Sequence, residues 1–581
     1  MTVLLDTRVP RTLDHLLTQL TDDALRGARV EAWLFEGAAR RRAAEHRLAA
    51  AGVRAQVRSA YKPLLHFFLE EVETAGLRHV TIRYPVCEPA ASGRFLVEAY
   101  PLAPLLAGVD TRFVAGGPAL SYHVELDYHD GTAAAHDVFV PSRVREDHLG
   151  ERRLSPTGWL RITGSRGGRR DVDESLETDY ETIFRTIIEA IQAHPWGPRE
   201  PQFGQLVIRT EIPGEERRLP YYEECVSTGE AMHEDLYFSA LEVFKHRAGR
   251  PVDDRKTRPG QIVPDVHYTD GEPRARVALE PFAVAEPALP AVPLETAAQA
   301  LSLERAHAEL AALGGRRFSA TSRQGRAVPG IYRAGTRPAI VVTAGQHANE
   351  TSGVVGALRA ARTLAEDPGA NFAVIPVENP DGYVLHRQLC AIHPRHMHHA
   401  ARYTAFGDDL QSRTEEPWHE KAARLEACRL SGATLHINLH GYPAHEWTRP
   451  LTGYLPRGFD AFAIPKGFYL IVRHHPDWAD RAVLLRTRLT ERLARIPELV
   501  AFNRAQLASY RAHAGEPLFP VYHDLPCHTV EDERAATPLL LITEFPDETI
   551  YGDLFALAHT VQMHTVLAAE EIHAALDRPA G

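Results

Sequence analysis

Apolar and polar residues follow different patterns in the two halves of the chain. In the first half, apolar residues recur with helical spacing in some segments and alternate with polar residues in others. The helical segments are 11–26, 38–51 and 179–194, and the strand-like segments are 79–86 and 121–141, with a turn signal at Asp130-Gly131. This mixture predicts an α+β domain.

The second half alternates short, continuous apolar runs with amphipathic helical patterns. The runs are 337–346, 370–380, 433–441 and 538–545, two further short strands flank Gly330, and the predicted helices are 294–315, 352–367, 476–496 and 499–512. Continuous apolar strands separated by helices are typical of a sheet with both faces covered. The predicted fold class is therefore α/β, with a mainly parallel or mixed sheet covered by helices on both faces, preceded by the α+β domain.

A stretch rich in proline and alanine separates the two patterns. Pro281, Pro287, Pro290 and Pro293 stand among alanines without periodicity, which is a linker composition. The chain has 581 residues, more than one hydrophobic core usually holds. We therefore predict an N-terminal domain over 1–280, a linker over 281–294 and a C-terminal domain over 295–581.

Composition and charge narrow the range of partners. The 65 basic and 76 acidic residues give a net charge of −11, so we expect neither nucleic acid nor an anionic membrane as partner. The five cysteines are scattered without a CxxC pair, and no apolar stretch reaches the length of about 18 residues that a membrane span needs. Asp6 and Arg8 interrupt the N-terminal apolar run. We expect a cytoplasmic protein.

Polar residues follow the ends of the apolar runs, where parallel sheets bind their ligands. His347 and Glu350 come directly after the run 337–346 and open a helix, so that one turn can direct both side chains to the same point. An imidazole and a carboxylate suit zinc, and His440 ends another run at the same edge. Glu544 ends the last run and can act as a base. His436 shares a face with His440 and is interpreted as a core or supporting residue.

The order of these residues resembles that of the carboxypeptidase A-like zinc metallopeptidases. The motifs that carry the resemblance are HANE at 347–350, NPDGY at 379–383, GDDLQ at 407–411, LHGY at 439–442 and TEF at 543–545. The resemblance extends from about residue 294 to the C-terminal helix and does not include the first half.

The resemblance implies one zinc ion per chain and the hydrolysis of an amide or peptide bond by metal-activated water. By position in the motifs, the ligands are His347, Glu350 and His440, and the general base is Glu544. Asp409 matches the aspartate that hydrogen-bonds the first zinc histidine. The substrate class implied is a peptide or an amide-containing small molecule, and the C-terminal domain is the catalytic one.

The residues that contact substrate match the family less completely. The arginine that stabilises the oxyanion falls among Arg387, Arg395 and Arg402, and Arg402 is preferred because it is nearest in sequence to Asp409. The Asn-Arg pair that clamps a C-terminal carboxylate corresponds here to Gln411 and Ser412, and Arg413 is one residue late. The further candidate substrate contacts are Arg395, Arg413 and Tyr442, and the mobile tyrosine of the family is left open among Tyr454, Tyr510 and Tyr522.

Two other functions stay open. One is an N-acyl amino acid deacylase, like the succinylglutamate desuccinylase and aspartoacylase relatives of the same fold, which the missing Asn-Arg pair favours and the NPDG loop opposes. The other is a binding protein without activity, which the complete ligand set opposes. The histidines at 393, 396, 398 and 399 are interpreted as a polar substrate-binding loop rather than a second metal site, and Arg166, Arg169 and Arg170 as a solvated loop.

Overall fold

The structure is a computed structural model that describes residues 1–164, 171–282, 286 and 292–576. The arginine-rich loop predicted at 165–170 lies outside the described residues, as do positions 283–285 and 287–291 of the predicted linker. Within the described residues, no helix combines the length and the apolar composition that crossing a membrane requires.

The first half is an α+β structure. Its strands are β1 (Thr2–Arg8), β2 (Arg29–Leu34), β3 (Arg54–Ser59), β4 (Leu77–Tyr84), β5 (Asp110–Ala115), β6 (Ser121–Tyr128), β7 (Ala133–Phe139), β8 (Ser142–Glu146), β9 (Arg152–Pro156), β10 (Gly158–Thr163), β11 (Val172–Leu176), β12 (Gln205–Ile212), β13 (Glu216–Arg218), β14 (Cys225–Ser227), β15 (Gln261–Tyr268) and β16 (Arg274–Glu280). Its helices are α1 (Thr12–Leu20), α2 (Ala38–Ala50), α3 (Pro63–Glu70), α4 (Arg94–Glu98), α5 (Leu102–Leu105), α6 (Asp179–Ala193) and α7 (Thr228–Arg247). The larger sheets have the strand orders β1-β16-β12-β15, β11-β10-β2-β3 and β5-β4-β6-β7.

The second half is an α/β structure. Its strands are β17 (Arg316–Thr321), β18 (Ala327–Arg333), β19 (Ile340–Ala344), β20 (Phe372–Ile375), β21 (Leu435–Pro443), β22 (Tyr469–His474), β23 (Val521–Tyr522), β24 (Leu525–Glu531) and β25 (Leu539–Glu548). Its helices are α8 (Leu303–Ala312), α9 (Ser352–Ala365), α10 (Pro380–Ile392), α11 (Lys421–Ser431), α12 (Ala479–Leu493), α13 (Pro497–Ala514) and α14 (Gly552–Leu576).

The strands of the second half form one mixed sheet in the order β17-β18-β20-β19-β21-β25-β22-β24-β23. Its centre, β20-β19-β21-β25, is parallel, and antiparallel strands flank the centre on both sides. Buried residues of α9, α12 and α14 cover one face, while α11 covers part of the other. The predicted α/β fold class with a mixed sheet between helices is confirmed.

Side chains of the central strands alternate between these two faces. Leu435, Ile437 and Leu439 of β21 belong to the apolar core under α9 and α14. The intervening His436 and His440 therefore face the opposite side, because successive side chains of a strand point to opposite faces. The strand thus presents an apolar row to the core and a polar row to the other face of the sheet.

Several predicted helices are confirmed, and others differ at their ends. The segment 179–194 forms α6, where Thr178 and Glu181 form a capping box. The helix predicted over 294–315 is wrong in its first part, because α8 begins only at Leu303, where Ser302 accepts a hydrogen bond from the Arg305 N–H. The helix predicted over 11–26 ends at Leu20.

The two halves share one hydrophobic core. It contains Phe238 of α7 together with Met397 and Trp447 of the second half. Every residue of α7 from Thr228 to Lys245 is buried, although the helix carries acidic side chains. Arg449 donates to both carboxylate oxygens of Glu242 on this helix, at 2.6 and 3.2 Å. The division into domains at 281–294 stays a prediction, and the shared core shows that the halves pack closely.

Candidate active site

The turn after β19 carries the first two candidate zinc ligands. Gly345 follows the strand with φ +61°, and a Cβ atom there would lie 3.2 Å from Val377 Cα, so glycine is suited to this turn. The Glu350 N–H then donates to the His347 carbonyl at 3.2 Å, which curls the segment before α9 begins at Ser352. His347 and Glu350 are thereby directed to the same side.

The third candidate ligand and the candidate base lie on neighbouring parallel strands. His440 of β21 pairs in register with Glu544 of β25, and Glu544 pairs on its other side with Tyr469 of β22. Residues paired in register direct their side chains to the same face of a sheet. The face that carries His436 and His440 therefore carries Glu544 as well.

The three candidate ligands converge on one point. Their donor atoms all lie within 4.8 Å of one another. His347 Nδ1 lies 2.8 Å from Glu350 Oε1, His440 Nδ1 lies 2.9 Å from Glu350 Oε2, and the two Nδ1 atoms are 3.1 Å apart. All three side chains are buried. Two imidazole nitrogens and a carboxylate are a donor set that suits zinc, so the residues fit the ion that the sequence predicts.

Asp409 supports the first of these histidines. Its Oδ2 lies 3.4 Å from His347 Nε2, which leaves Nδ1 directed to Glu350. Asp409 also accepts from Gln346 Nε2 at 3.2 Å. Burial disfavours the charge on Asp409, but the neighbouring His347 together with Arg255 and Arg402 outweighs this effect and holds the pKa of the carboxyl well below its usual range. An ionised carboxylate here fixes the orientation of the imidazole.

Arg402 lies directly beside the three candidate ligands. Its Nη1 donates to Glu350 Oε1 at 2.7 Å and lies 4.0 Å from Glu548 Oε1. The other arginines considered from the sequence lie elsewhere: Arg387 is in α10, and Arg395 pairs with Glu223 at 2.6 Å. Neither is among the described residues that line the cleft, whereas Arg402 is.

Glu544 lies in the wall of the cleft beside the three candidate ligands and is partly exposed to solvent. Burial in the wall and the negative charge of Glu350 raise the pKa of this carboxyl well above its ordinary value, although Arg402 and Lys466 act in the opposite direction. Lys466 lies over the rings of Tyr442 and Tyr469, 4.9 and 5.0 Å from their centroids. The carboxyl therefore binds a proton more tightly than an exposed glutamate does.

A cleft of about 710 Å³ opens over this face of the sheet. The first half contributes Phe238, Arg255 and Lys256 to its walls. The basic residues of the lining are Arg255, Lys256, Arg402, Arg413, Lys421, Arg424, Arg473 and Arg534, and its acidic residues are Asp409, Asp532 and Glu544. Arg402, Arg413 and Arg424 among these have buried carboxylate partners outside the lining, namely Glu350, Asp408 with Glu420, and Glu378. The apolar and polar patterns in the sequence of the first half contain no signal that predicts its contribution to the walls of the cleft.

The segment that would clamp a carboxylate is built differently from the family pattern. Arg413 bonds Asp408 at 2.8 Å and Glu420 at 2.7 Å, and its side chain has no exposed surface. Gln411 accepts from Arg424 Nη1 at 2.6 Å. Lys421 was not singled out from the sequence, yet its Nζ donates to the carbonyls of Gln411 and Arg413 at 2.9 and 2.6 Å. An ammonium group therefore lies at the segment where the clamping arginine is missing.

Of the remaining tyrosines and histidines that the sequence analysis named, some line the cleft and others lie outside it. Tyr442 lines the cleft and donates to the Gly467 carbonyl at 2.6 Å. Tyr454, Tyr510 and Tyr522 are not among the described residues that line it. Most of the histidine loop packs against the first half: His393 and His396 stack with centroids 4.5 Å apart, and His396 Nε2 lies 3.1 Å from Glu216 Oε2. His399 alone of the four is in the described lining, and it lies 2.5 Å from Glu234.

Comparison with known proteins supports the resemblance drawn from the motifs. Residues 317–430 match the family model of the zinc carboxypeptidases, which confirms the resemblance for that segment. The match includes His347, Glu350 and Asp409 and ends before His440 and Glu544. A comparison with curated proteins finds no match.

Similar solved structures include several metallo-carboxypeptidases. One from Burkholderia cenocepacia has 15% sequence identity and a TM-score of 0.32, with 53% of this chain and 77% of that chain covered. Carboxypeptidase A from Helicoverpa armigera has 12% identity and a TM-score of 0.32, over 50% of this chain and 76% of that one. A metallo-carboxypeptidase from Pseudomonas aeruginosa has 15% identity and a TM-score of 0.29, over 52% and 72%.

Proposed function

We propose that this protein is a zinc-dependent hydrolase that cleaves an amide or peptide bond, with one hydrolytic zinc ion per chain. The observation that carries the proposal is the convergence of His347, Glu350 and His440 on one point beside Glu544, at the wall of a large cleft. Zinc held by these three side chains would lower the pKa of a water molecule and polarise the amide carbonyl.

The surrounding side chains have distinct tasks in this reaction. Glu544 takes the proton of the attacking water and delivers it to the leaving amine nitrogen. Arg402 provides positive charge for the carbonyl oxygen as it becomes negative. Asp409 holds the ring of His347 with Nδ1 directed to the other two ligands, so that the ligand set is ordered before substrate binds.

The lining of the cleft supports a substrate with a carboxylate. Lys421 has two backbone carbonyls as its hydrogen-bond acceptors and no carboxylate partner in the described part of the chain. Burial lowers its pKa to about 8, so the ammonium is charged at neutral pH. We assign it the task of binding a carboxylate of the substrate, in place of the missing Asn-Arg pair. The substrate is a peptide or an amide-containing small molecule, and the five unpaired cysteines support a reducing compartment, the cytoplasm.

The proposal is tested by metal analysis together with a panel of substrates. The purified protein should lose its hydrolytic zinc on His347→Ala. The matched control is His528→Ala, since His528 and Glu531 have the same spacing as His347 and Glu350 but lie in β24. Retention of full zinc content and activity by His347→Ala would disprove the ligand assignment.

The panel compares peptides with a free C-terminal carboxylate, the same peptides with a blocked C-terminus, and N-acyl amino acids. Hydrolysis of the free peptides alone supports carboxypeptidase action, and hydrolysis of N-acyl amino acids alone supports the deacylase. Lys421→Met should raise KM for the free-carboxylate substrate and leave blocked substrates unchanged, while Lys421→Arg retains the charge. If Lys421→Met changes KM equally for the free-carboxylate and the blocked substrates, Lys421 does not bind the substrate carboxylate.

A further inference from the structure

A second group of metal-type donors lies at the junction of the two halves, outside the triad of His347, Glu350 and His440. Cys225 begins β14 and Glu230 lies in the first turn of α7, both in the first half, whereas His445 follows β21 in the second half. We propose that Cys225, Glu230 and His445 hold a second zinc ion, which joins the two halves and takes no part in hydrolysis.

The donor atoms of this group are close enough to share one ion. One donor atom of each side chain lies within 4.8 Å of the other two, as in the triad. His445 Nε2 lies 2.9 and 2.8 Å from the two carboxylate oxygens of Glu230, and Cys225 Sγ lies 3.8 Å from Glu230 Oε2. A thiolate, an imidazole and a carboxylate are all ligands that zinc accepts.

The surroundings of His445 orient it for this task. Its Nδ1 lies 3.2 Å from Thr549 Oγ1, so that the second ring nitrogen is occupied and Nε2 is the one directed to Glu230. Zinc-binding histidines commonly have such a partner on the nitrogen that does not bind the metal. The ring itself is buried, with 1% of its surface exposed.

A void lined by two of the three side chains, Cys225 and Glu230, leaves room for a fourth ligand. It has a volume of about 10 Å³, about the space that one water molecule needs. Cys225, Glu230 and Glu234 are among its lining residues. Glu234 is fully buried, and its Oε1 has no hydrogen-bond partner in the described part of the chain. A water molecule in the void would complete four-fold coordination of the ion and donate to this oxygen.

The balance of charge also favours a cation. Three carboxylates line the void, those of Glu230, Glu234 and Glu446. One of them has its own cationic partner, since Glu446 pairs with Lys62, and Glu234 lies 2.5 Å from His399. A zinc ion with the Cys225 thiolate and the Glu230 carboxylate forms a neutral unit, which lowers the cost of burying these groups.

The inference predicts two metal sites that differ in sulfur content. The triad contains no sulfur ligand, whereas the junction site contains one. The full chain, reconstituted with Co²⁺ in place of Zn²⁺, should therefore bind about two ions and show a sulfur-to-cobalt charge-transfer band in the near ultraviolet. This readout does not depend on catalytic activity. A wild-type protein with two bound cobalt ions and no such band would overturn the inference, as would a protein that binds one ion and lacks the band.

Two variants separate the sites. Cys225→Ser should lose the band and about one metal equivalent, while His347→Ala should lose about one equivalent and retain the band. Cys87→Ser is the matched control, because Cys87 is a partly buried cysteine outside the group, and it should retain both ions. If Cys225→Ser fails to fold, His445→Gln gives the same test. Retention of the band in either junction variant would contradict the assignment, and failure of the hydrolytic proposal would appear instead as unchanged metal content in His347→Ala.

Discussion

His440 and Glu544 lie side by side in register on two neighbouring parallel strands, β21 and β25. Their side chains therefore point to the same face although 104 positions separate them in the sequence numbering. Among the residues of the cleft, this pair brings a candidate zinc ligand and a candidate base to the same edge of the sheet. The relationship makes the role of Glu544 directly testable.

Glu544→Gln should retain zinc and lose activity. The amide keeps the size of the side chain but cannot accept the proton of the attacking water, so kcat should fall by about 10²- to 10⁴-fold. Zinc content and kcat are measured on the same preparation. Glu531→Gln, on the exposed end of β24, is the control and should leave kcat unchanged. Full activity in Glu544→Gln would mean that another group takes the proton.

Asp409→Asn should weaken zinc binding without unfolding the chain. The neutral amide no longer stabilises the orientation and basicity of His347, which lies 3.4 Å away, so zinc affinity should fall by about 10- to 100-fold. Competition with a chelator measures the affinity. Asp532→Asn is the control, since Asp532 also lines the cleft but pairs with Arg473. If the zinc affinity of Asp409→Asn is unchanged, Asp409 stabilises only the loop that contains it and does not support His347.

Arg413→Met should destabilise the fold. The substitution leaves Asp408 and Glu420 buried without this partner, which costs about 3 to 5 kcal/mol of unfolding free energy. Denaturant unfolding provides the measurement. Arg534→Met removes an exposed arginine from its pair with Asp532 and should change stability by less than about 1 kcal/mol. A higher KM for free-carboxylate substrates at unchanged stability would instead show that Arg413 binds substrate.

The segment 292–581 expressed alone should fail to adopt the native structure. Removing 1–291 exposes Trp447 and Met397 of the shared core and leaves Arg449 without Glu242. We expect dye binding and the loss of the near-ultraviolet circular dichroism signal. Co-expression with residues 1–280 is the control and should restore a complex. Cooperative unfolding of 292–581 alone would show that the half is an independent domain.

Stability should depend on pH through Asp179. Burial and the nearby charge of Glu36 raise the pKa of this carboxyl from 3.8 to about 6. Below about pH 3 this carboxyl is protonated in both the folded and the unfolded state. Between pH 4 and 6 the unfolded state loses the proton first, so the unfolding free energy should fall by about 3 kcal/mol as pH rises.

Asp179→Asn cannot ionise and retains an oxygen that accepts from the Thr12 N–H. The variant should therefore be more stable than the wild type at pH 7 and equal to it near pH 3. Urea titrations at both pH values measure the difference. A difference that does not change with pH would show that Asp179 titrates with an ordinary pKa.

Part of the site followed from local sequence. The spacing of His347 and Glu350 after an apolar run predicts their common direction, because one turn of chain determines it. The strands that carry His440 and Glu544 were also predictable, since continuous apolar runs mark central strands. Their predicted ends were not correct, because β21 continues to Pro443 and β25 to Glu548. The start of α8 was not, because the helical pattern continues upstream of the Ser302 cap at which the helix begins.

The sequence by itself determined the α/β fold class of the second half and the order of the candidate ligands. Only the tertiary structure decided that the first half supplies Phe238, Arg255 and Lys256 to the cleft, and that Lys421 rather than Arg413 presents a charge without a carboxylate partner. It also decided that Cys225 and Glu230 meet His445. The physical reason is that local patterns specify which face of an element is buried, whereas contacts between distant segments depend on how those faces pack together.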